Sequence, residues 1–262
     1  MDLRINYTNS EAGKIFLWLI TINFVLSLFY IAIYILEIGI HWEPARQLFN
    51  LNAEVSIPTW YSSIQLFAVG SMLFIASKNN RWKQHVSSSF LKAGSMFFIF
   101  LSADESAEIH EKITMIVKKL GIHLILFKGN HGAWISVYLI VAIVSMLVAR
   151  RHLINLWRYF RYETIISLIG VIVFVTGGVV FEIISYQLSL EPGTLIYKME
   201  VVCEEFFEMS GVSIILYAVL LLSIAISTTP SIAVTEEITE QRQQWRWNKI
   251  VLNTKILRKG NH

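Results

Sequence analysis

Two stretches of the chain carry the residues that can do chemistry. The first is Asp104-Glu105-Ser106-Ala107-Glu108-Ile109-His110-Glu111, and the second is Glu200-Val201-Val202-Cys203-Glu204-Glu205-Phe206-Phe207-Glu208. Carboxylates hold divalent cations and exchange protons, and an imidazole does both near neutral pH. At about 100° per residue, Asp104, Glu108 and Glu111 fall within a roughly 60° arc of one helix, and Glu200, Glu204 and Glu208 within roughly 80° of another. Glu108 and Glu111, like Glu205 and Glu208, have the i, i+3 spacing that brings two carboxylates to one ion. Oxygens joined by an imidazole suit manganese, iron or zinc, whereas oxygens alone suit calcium or magnesium. The Glu-x-x-His pair of ferritin-like bundles is missing, because Ala107 stands three residues before His110. His110 itself is expected about 130° from the centre of the Asp104–Glu111 face, directed at another helix or supporting a ligand.

The elements that must position these residues are apolar. Of 262 residues 55% are hydrophobic and only 16% charged, with a mean hydropathy of +0.54, against about 25% charged residues in a soluble domain. Disorder is excluded by that composition, and a disulfide scaffold by the single cysteine, Cys203. Six runs are long enough for the roughly 20 residues a bilayer crossing needs: 15–40, 59–77, 89–117, 133–149, 164–190 and 195–227. Pro58 opens the second, Pro192-Gly193 turns the fifth into the sixth, and Pro230 follows the last. The first is too long for a signal peptide and reads as retained. The fold class expected is therefore all-α, a polytopic membrane helix bundle of about six transmembrane helices.

Most of the 22 basic residues fall on one side of these spans, among them Lys14, Lys78, Arg81, Arg150, Arg151, Arg158, Arg161 and the tail from Arg242 to Lys259. The positive-inside rule then puts both termini in the cytoplasm, against the lysines of the third connection. Residues 1–229 form the six-helix transmembrane domain of this reading. Residues 230–262, with Trp245 and Trp247 among cations, form a cytoplasmic amphipathic tail lying on membrane lipids. The basic residues follow the membrane border and make no continuous patch, which excludes nucleic acid as a partner. Phosphate-binding loops, Gly-x-Ser-x-Gly, His-Glu-x-x-His and Cys-x-x-Cys are all missing.

Acids inside the spans then become the informative feature: Glu37, Asp104, Glu105, Glu108, Glu111, Glu182, Glu200, Glu204, Glu205 and Glu208. Each costs at least ~2.5–3.5 kcal/mol at a bilayer centre. The only nearby lysines, Lys92, Lys112 and Lys198, lie towards span ends, so protons or bound cations must do much of the neutralising. Folding the last two spans about Pro192 sets Glu182 level with Val202, while Gly178 lets another backbone approach the same face and Gly211 leaves room for a close neighbour or a cavity. All these acids fall in the outer half, with His41, His110, His123 and His131. His123 and His131 read as solvated residues of an interfacial loop, in preference to a lid lending a ligand. Cys203 reads as a small core residue. The form [DE]-E-x-x-E recurs at 104–108 and 204–208 in oppositely directed spans, as an inverted repeat would place it, although the flanking residues match poorly.

Residues 100–111, the span around Glu182, and Glu204-Glu-Phe-Phe-Glu-Met-Ser-Gly211 together resemble an uncharacterised family of bacterial six-span membrane proteins with D-E-x(4)-H-E and E-E-x-x-E-M-x-G elements. The resemblance implies a site of Asp104, Glu105, His110, Glu111, Glu182, Glu204, Glu205 and Glu208 in a bacterial inner (plasma) membrane, and no activity. Glu108 and Glu200 rest on helix geometry alone. The first functional expectation is a membrane-embedded enzyme acting on a lipid-soluble or periplasmic substrate. Asp104, Glu108, Glu111, Glu182, Glu204, Glu205 and Glu208 would hold a divalent metal ion (iron, manganese or zinc), with His110 and Glu105 as catalytic groups. A proton- or cation-coupled transporter using the same acids is the alternative, and a non-catalytic membrane subunit the second. Whether the protein is an enzyme at all stays open at this point, as do substrate and oligomeric state.

Overall fold

A computed structural model describes residues 8–38, 43–78, 86–121 and 132–228. Among these the regular structure is entirely helical, in the order α1 (Asn9–Tyr30), α2 (Glu43–Leu48), α3 (Ile57–Lys78), α4 (Ser88–Ala107), α5 (Ile109–Lys119), α6 (Ala133–Tyr159), α7 (Arg161–Val175), α8 (Glu182–Leu188) and α9 (Leu195–Thr228). Two π-helical segments interrupt them. Ile31–Ile35 prolongs α1, and Thr176–Phe181 joins α7 to α8 without a break in the rod. The start of α1 is fixed locally: Thr8 Oγ1 accepts the Glu11 N–H at 3.2 Å and the Glu11 carboxylate accepts the Thr8 N–H at 2.8 Å. That reciprocal cap satisfies two donors a helix start leaves open. In α3, Pro58 sits in the first turn, where its missing N–H has no helical acceptor to lose.

Five helical stretches are long and apolar enough to cross a membrane: Asn9–Ile35, Ile57–Lys78, Ala133–Tyr159, Arg161–Leu188 and Leu195–Ser227. They correspond to five of the six expected spans. The exterior fits that solvent. Along α6, Ile140 is 63% exposed and Val148 79%, a continuous apolar face that lipid accepts and water does not.

The third expected span, 89–117, needs correction. It is not one helix, since α4 stops at Ala107 and Glu108 adopts a left-handed conformation with φ 54° and ψ 41° before α5 begins. Such a conformation costs roughly 1–2 kcal/mol for a residue with a Cβ. Local bonds offset it: the Asp104 carboxylate takes the His110 N–H at 2.7 Å, and the Lys112 ammonium donates to the Ala107 carbonyl. A periodicity argument misses this break because side chains replace the helical hydrogen bonds without any glycine or proline to announce it. The arc drawn through Asp104, Glu108 and Glu111 therefore does not exist. The tail 230–262, His41, His123 and His131 lie outside the described residues.

The centre of the bundle is α9, which packs against α1, α3, α7 and the π-helical segment after α7. Met209, Val212 and Ile215 are buried there. Contacts of this kind need small residues in a membrane, where lipid tails compete with any apolar side chain. Gly170 of α7, Gly177 of the π-helical segment and Gly211 of α9 provide them: a Cβ on Gly211 would lie 2.4 Å from the Phe174 nitrogen. At mid-depth, Gln65 Nε2 donates to Ser213 Oγ at 2.9 Å and Asn23 Nδ2 to the same hydroxyl at 3.1 Å, tying α1, α3 and α9 together.

Gly211→Ala should accordingly lower stability by about 1–3 kcal/mol through overpacking, measured as thermal unfolding in detergent. Gly13→Ala, with nothing within 4 Å of its Cβ, should leave the midpoint unchanged or raise it.

Candidate functional site

The expected site residues divide into two sets at the end of the bundle where α4 stops and α9 starts. The first set is hydrogen-bonded. Besides the His110 N–H, Asp104 Oδ1 meets His110 Nδ1 at 3.3 Å, and Asp104 Oδ2 accepts the Tyr138 hydroxyl at 3.0 Å. The His110 ring stands edge-on to Trp134 at 5.2 Å between centroids. Trp134 Nε1 in turn donates to Glu182 Oε1 at 3.0 Å, and the Tyr186 hydroxyl to the same oxygen at 2.5 Å. This network joins α4, α5, α6 and α8. Contrary to expectation, His110 does not point away from Asp104. The break at Glu108 folds it back, and together they make the only ion pair among the described residues.

Burial acts to lower the affinity of His110 for its proton. The hydrogen bond and charge of Asp104, followed by the charges of Glu182 and Glu54, outweigh it, and His110 is held above the ordinary imidazole range. Glu54, on the loop before α3 and open to solvent, is pushed above the ordinary carboxylate range. Partial desolvation is the main cause; His110 opposes it, and Glu111, Glu108 and Asp104 add to it.

In the second set, among the described residues, only Glu105 has a side-chain donor, the Ser62 hydroxyl. Glu105 on α4 lies within electrostatic reach of Glu54 and Asp104, with the Ser62 hydroxyl beside it. Glu205 on α9 is within reach of Glu105, Glu204 and Glu200, and Glu208 of Glu205, Glu105, Glu204 and Glu182. Glu208 rests in a notch made by two glycines: a Cβ on Gly178 would come 2.7 Å from Glu208 Oε1, and one on Gly177 2.7 Å from its Cγ. Glu200 is 8% exposed, and neither of its carboxylate oxygens has a hydrogen-bond partner among the described residues.

Lys198, Lys112 and Arg46 are engaged by groups other than the carboxylates. Lys198 Nζ donates to the Tyr34 carbonyl at 2.7 Å, Lys112 to that of Ala107, and Arg46 lies over the Tyr34 ring at 5.2 Å. Helix-end carbonyls, not carboxylates, use this positive charge. Among the described residues no three His, Cys, Asp or Glu side chains are arranged to hold a metal ion. Glu108 occupies the helix break, and Glu111 is exposed on α5. Sequence reasoning missed Trp134, Tyr138 and Tyr186, although Tyr186 stands one turn after Glu182 and Trp134 one turn before Tyr138. It missed Glu54 because a loop acid carries no periodic signal.

The family model described as Domain of unknown function (DUF8692) matches residues 16–224, from α1 into α9. The chain belongs to that family. No curated protein and no solved structure matches the chain. The matched region takes in every carboxylate of both sets and stops short of the tail.

Because the folded-state affinity of His110 for its proton is raised, the stabilisation it brings is fully present below the unfolded value of about 6.5. It is lost as pH rises through the higher folded value. The melting-temperature difference between wild type and His110→Gln should therefore be greatest in mildly acidic buffer and shrink towards alkaline pH. A difference constant across that range would contradict the His110–Asp104 pairing.

Proposed function

We propose that this family member is a multi-pass membrane protein in which α4 supplies a sixth crossing and the unpaired carboxylates bind and release protons, as in a proton- or cation-coupled transporter. The observation that carries this reading is a buried glutamate, Glu200, whose two oxygens have no donor among the described residues, beside Glu204, Glu205 and Glu208, none of which forms an ion pair with a lysine or arginine of those residues. Acids in a low-dielectric setting need protons or cations for company. Their arrangement supports a relay more than a single ion cage. From Glu54, open to solvent, the acids pass through Glu105 and Glu205 to Glu208, just above the Ser210, Ser213, Asn23 and Gln65 network. Intramembrane acid chains of this kind serve proton relays in pumps and transporters.

A second reading, a metal-dependent membrane enzyme, draws on the same unengaged oxygens. Asp104 does not fit it, because both of its oxygens accept protein donors, and Glu182 already accepts two at one oxygen. Glu105, Glu204, Glu205 and Glu208 fit better, and with His110 committed to Asp104 the donor set is oxygen alone. That favours manganese or magnesium over zinc. A bound ion would supply Lewis acidity or an activated water.

In liposomes loaded with a pH-sensitive dye, the transporter reading expects proton flux under an imposed gradient, reduced at least about tenfold by Glu205→Gln or Glu208→Gln. Elemental analysis of the same preparation separates the two readings. Stoichiometric metal lost in Glu205→Gln, without flux, would replace the relay with the enzyme.

A further inference from the structure

We propose that the cavity between α5, the start of α6 and α8 binds a zwitterion with a primary ammonium and a phosphate a few ångströms apart, the phosphoethanolamine group. The cavity holds about 200 Å³ and is lined by Glu111, Thr114, Lys118, Trp134, Glu182 and Tyr186, among others. It is smaller than the ~300–1,000 Å³ of sites for drug-sized molecules, and of a size for a headgroup.

Its charges are what select the ligand. Glu111 and Lys118 face the same hollow from one helix, seven residues and roughly 10 Å of rise apart. That is beyond the i, i+4 distance at which they would pair with each other, and they form no ion pair among the described residues. Glu182 Oε1 is taken by Trp134 and Tyr186, whereas Oε2 makes no hydrogen bond among the described residues. An ammonium fits between Glu182 Oε2 and the Glu111 carboxylate, against the Trp134 indole, which attracts cations to its face. A primary amine is favoured over a quaternary one because carboxylate oxygens require N–H donors. At the other end Lys118 provides the charge for a phosphate. Thr114 Oγ1 accepts the backbone N–H of Trp134 at 3.3 Å, and its own proton is left to donate.

The cavity also lies at the right level. Ala133 begins one membrane-crossing stretch and Leu188 ends another. Met115, Ile116 and Leu120 of α5 are exposed apolar residues, as on a helix lying in the interface. Phospholipid headgroups and soluble phosphoethanolamine esters share the recognised chemistry. Neither the relay acids Glu54, Glu105, Glu205 and Glu208 nor the neighbouring Glu200 and Glu204 line this cavity, so each proposal stands without the other.

Native mass spectrometry of the full chain in detergent, offered phosphatidylethanolamine, phosphatidylcholine and phosphatidylglycerol in turn, tests the assignment. Preferential retention of phosphatidylethanolamine is expected, weakened about tenfold by Lys118→Gln or Glu111→Gln, each removing one charged partner. Both positions are exposed, and circular dichroism and gel filtration should match wild type. Thr114→Val is a third variant, expected to weaken retention with the side-chain shape kept. Free phosphoethanolamine displacing the lipid would point to a soluble ester as ligand; retention of the lipid against it would assign the headgroup. Equal retention of all three lipids with no effect of free phosphoethanolamine, or retention unchanged in all three variants, overturns the proposal.

Discussion

Negative charge placed in an apolar bundle without matching positive charge is the constraint around which this structure is arranged. The protein handles it in two ways. Asp104 and Glu182 are surrounded by neutral or weakly basic donors, namely Tyr138, His110, Trp134 and Tyr186, which lessen the cost of burying a carboxylate. Among the described residues Glu105 has only the Ser62 hydroxyl, and Glu200, Glu204, Glu205 and Glu208 have no such company. Their oxygens remain for a proton or a cation to occupy, and the functional proposal rests on that difference.

Both local irregularities near the acids serve this arrangement. The left-handed Glu108 ends α4 and turns α5 aside, which carries His110 back to Asp104 and leaves Glu111 on the exposed face of α5. The π-helical Thr176–Phe181 segment carries Gly177 and Gly178 against Glu208. π-Helical turns recur at functional sites because the extra residue re-aims a face of the helix. The remainder of the bundle is conventional by comparison: lipid-facing aliphatics on α6, a central α9, and serine and amide contacts among α1, α3, α4 and α9 that tie the helices together.

Much of the scaffold was legible in the sequence. Run length and hydropathy located five of the helices, and the room for a close neighbour expected at Gly211 agrees with the Phe174 backbone lying against it, whereas at Gly178, where another backbone was expected, the neighbour is the Glu208 side chain. Periodicity failed at residue 108, because the break depends on Asp104 and Lys112 reaching backbone groups, a tertiary effect invisible to a helical wheel. For the same reason it misdirected His110 and overstated Glu108. The aromatic partners of the acids, Trp134, Tyr138 and Tyr186, went unnoticed, since composition does not reveal that a Trp N–H or a Tyr O–H will aim at a carboxylate. Glu54 came from a loop, where spacing says nothing about proximity.

The central claim is that Glu105 of α4 and Glu205 of α9 share one space. Replacing both with cysteine in a Cys203→Ser background, and treating membranes with a short bifunctional thiol reagent, measures this directly. The account predicts an intramolecular cross-link for Glu105→Cys with Glu205→Cys, and none when Glu105→Cys is paired with Lys14→Cys at the far end of α1. Free thiols at both positions after treatment, despite reaction of each with a monofunctional reagent, would contradict it.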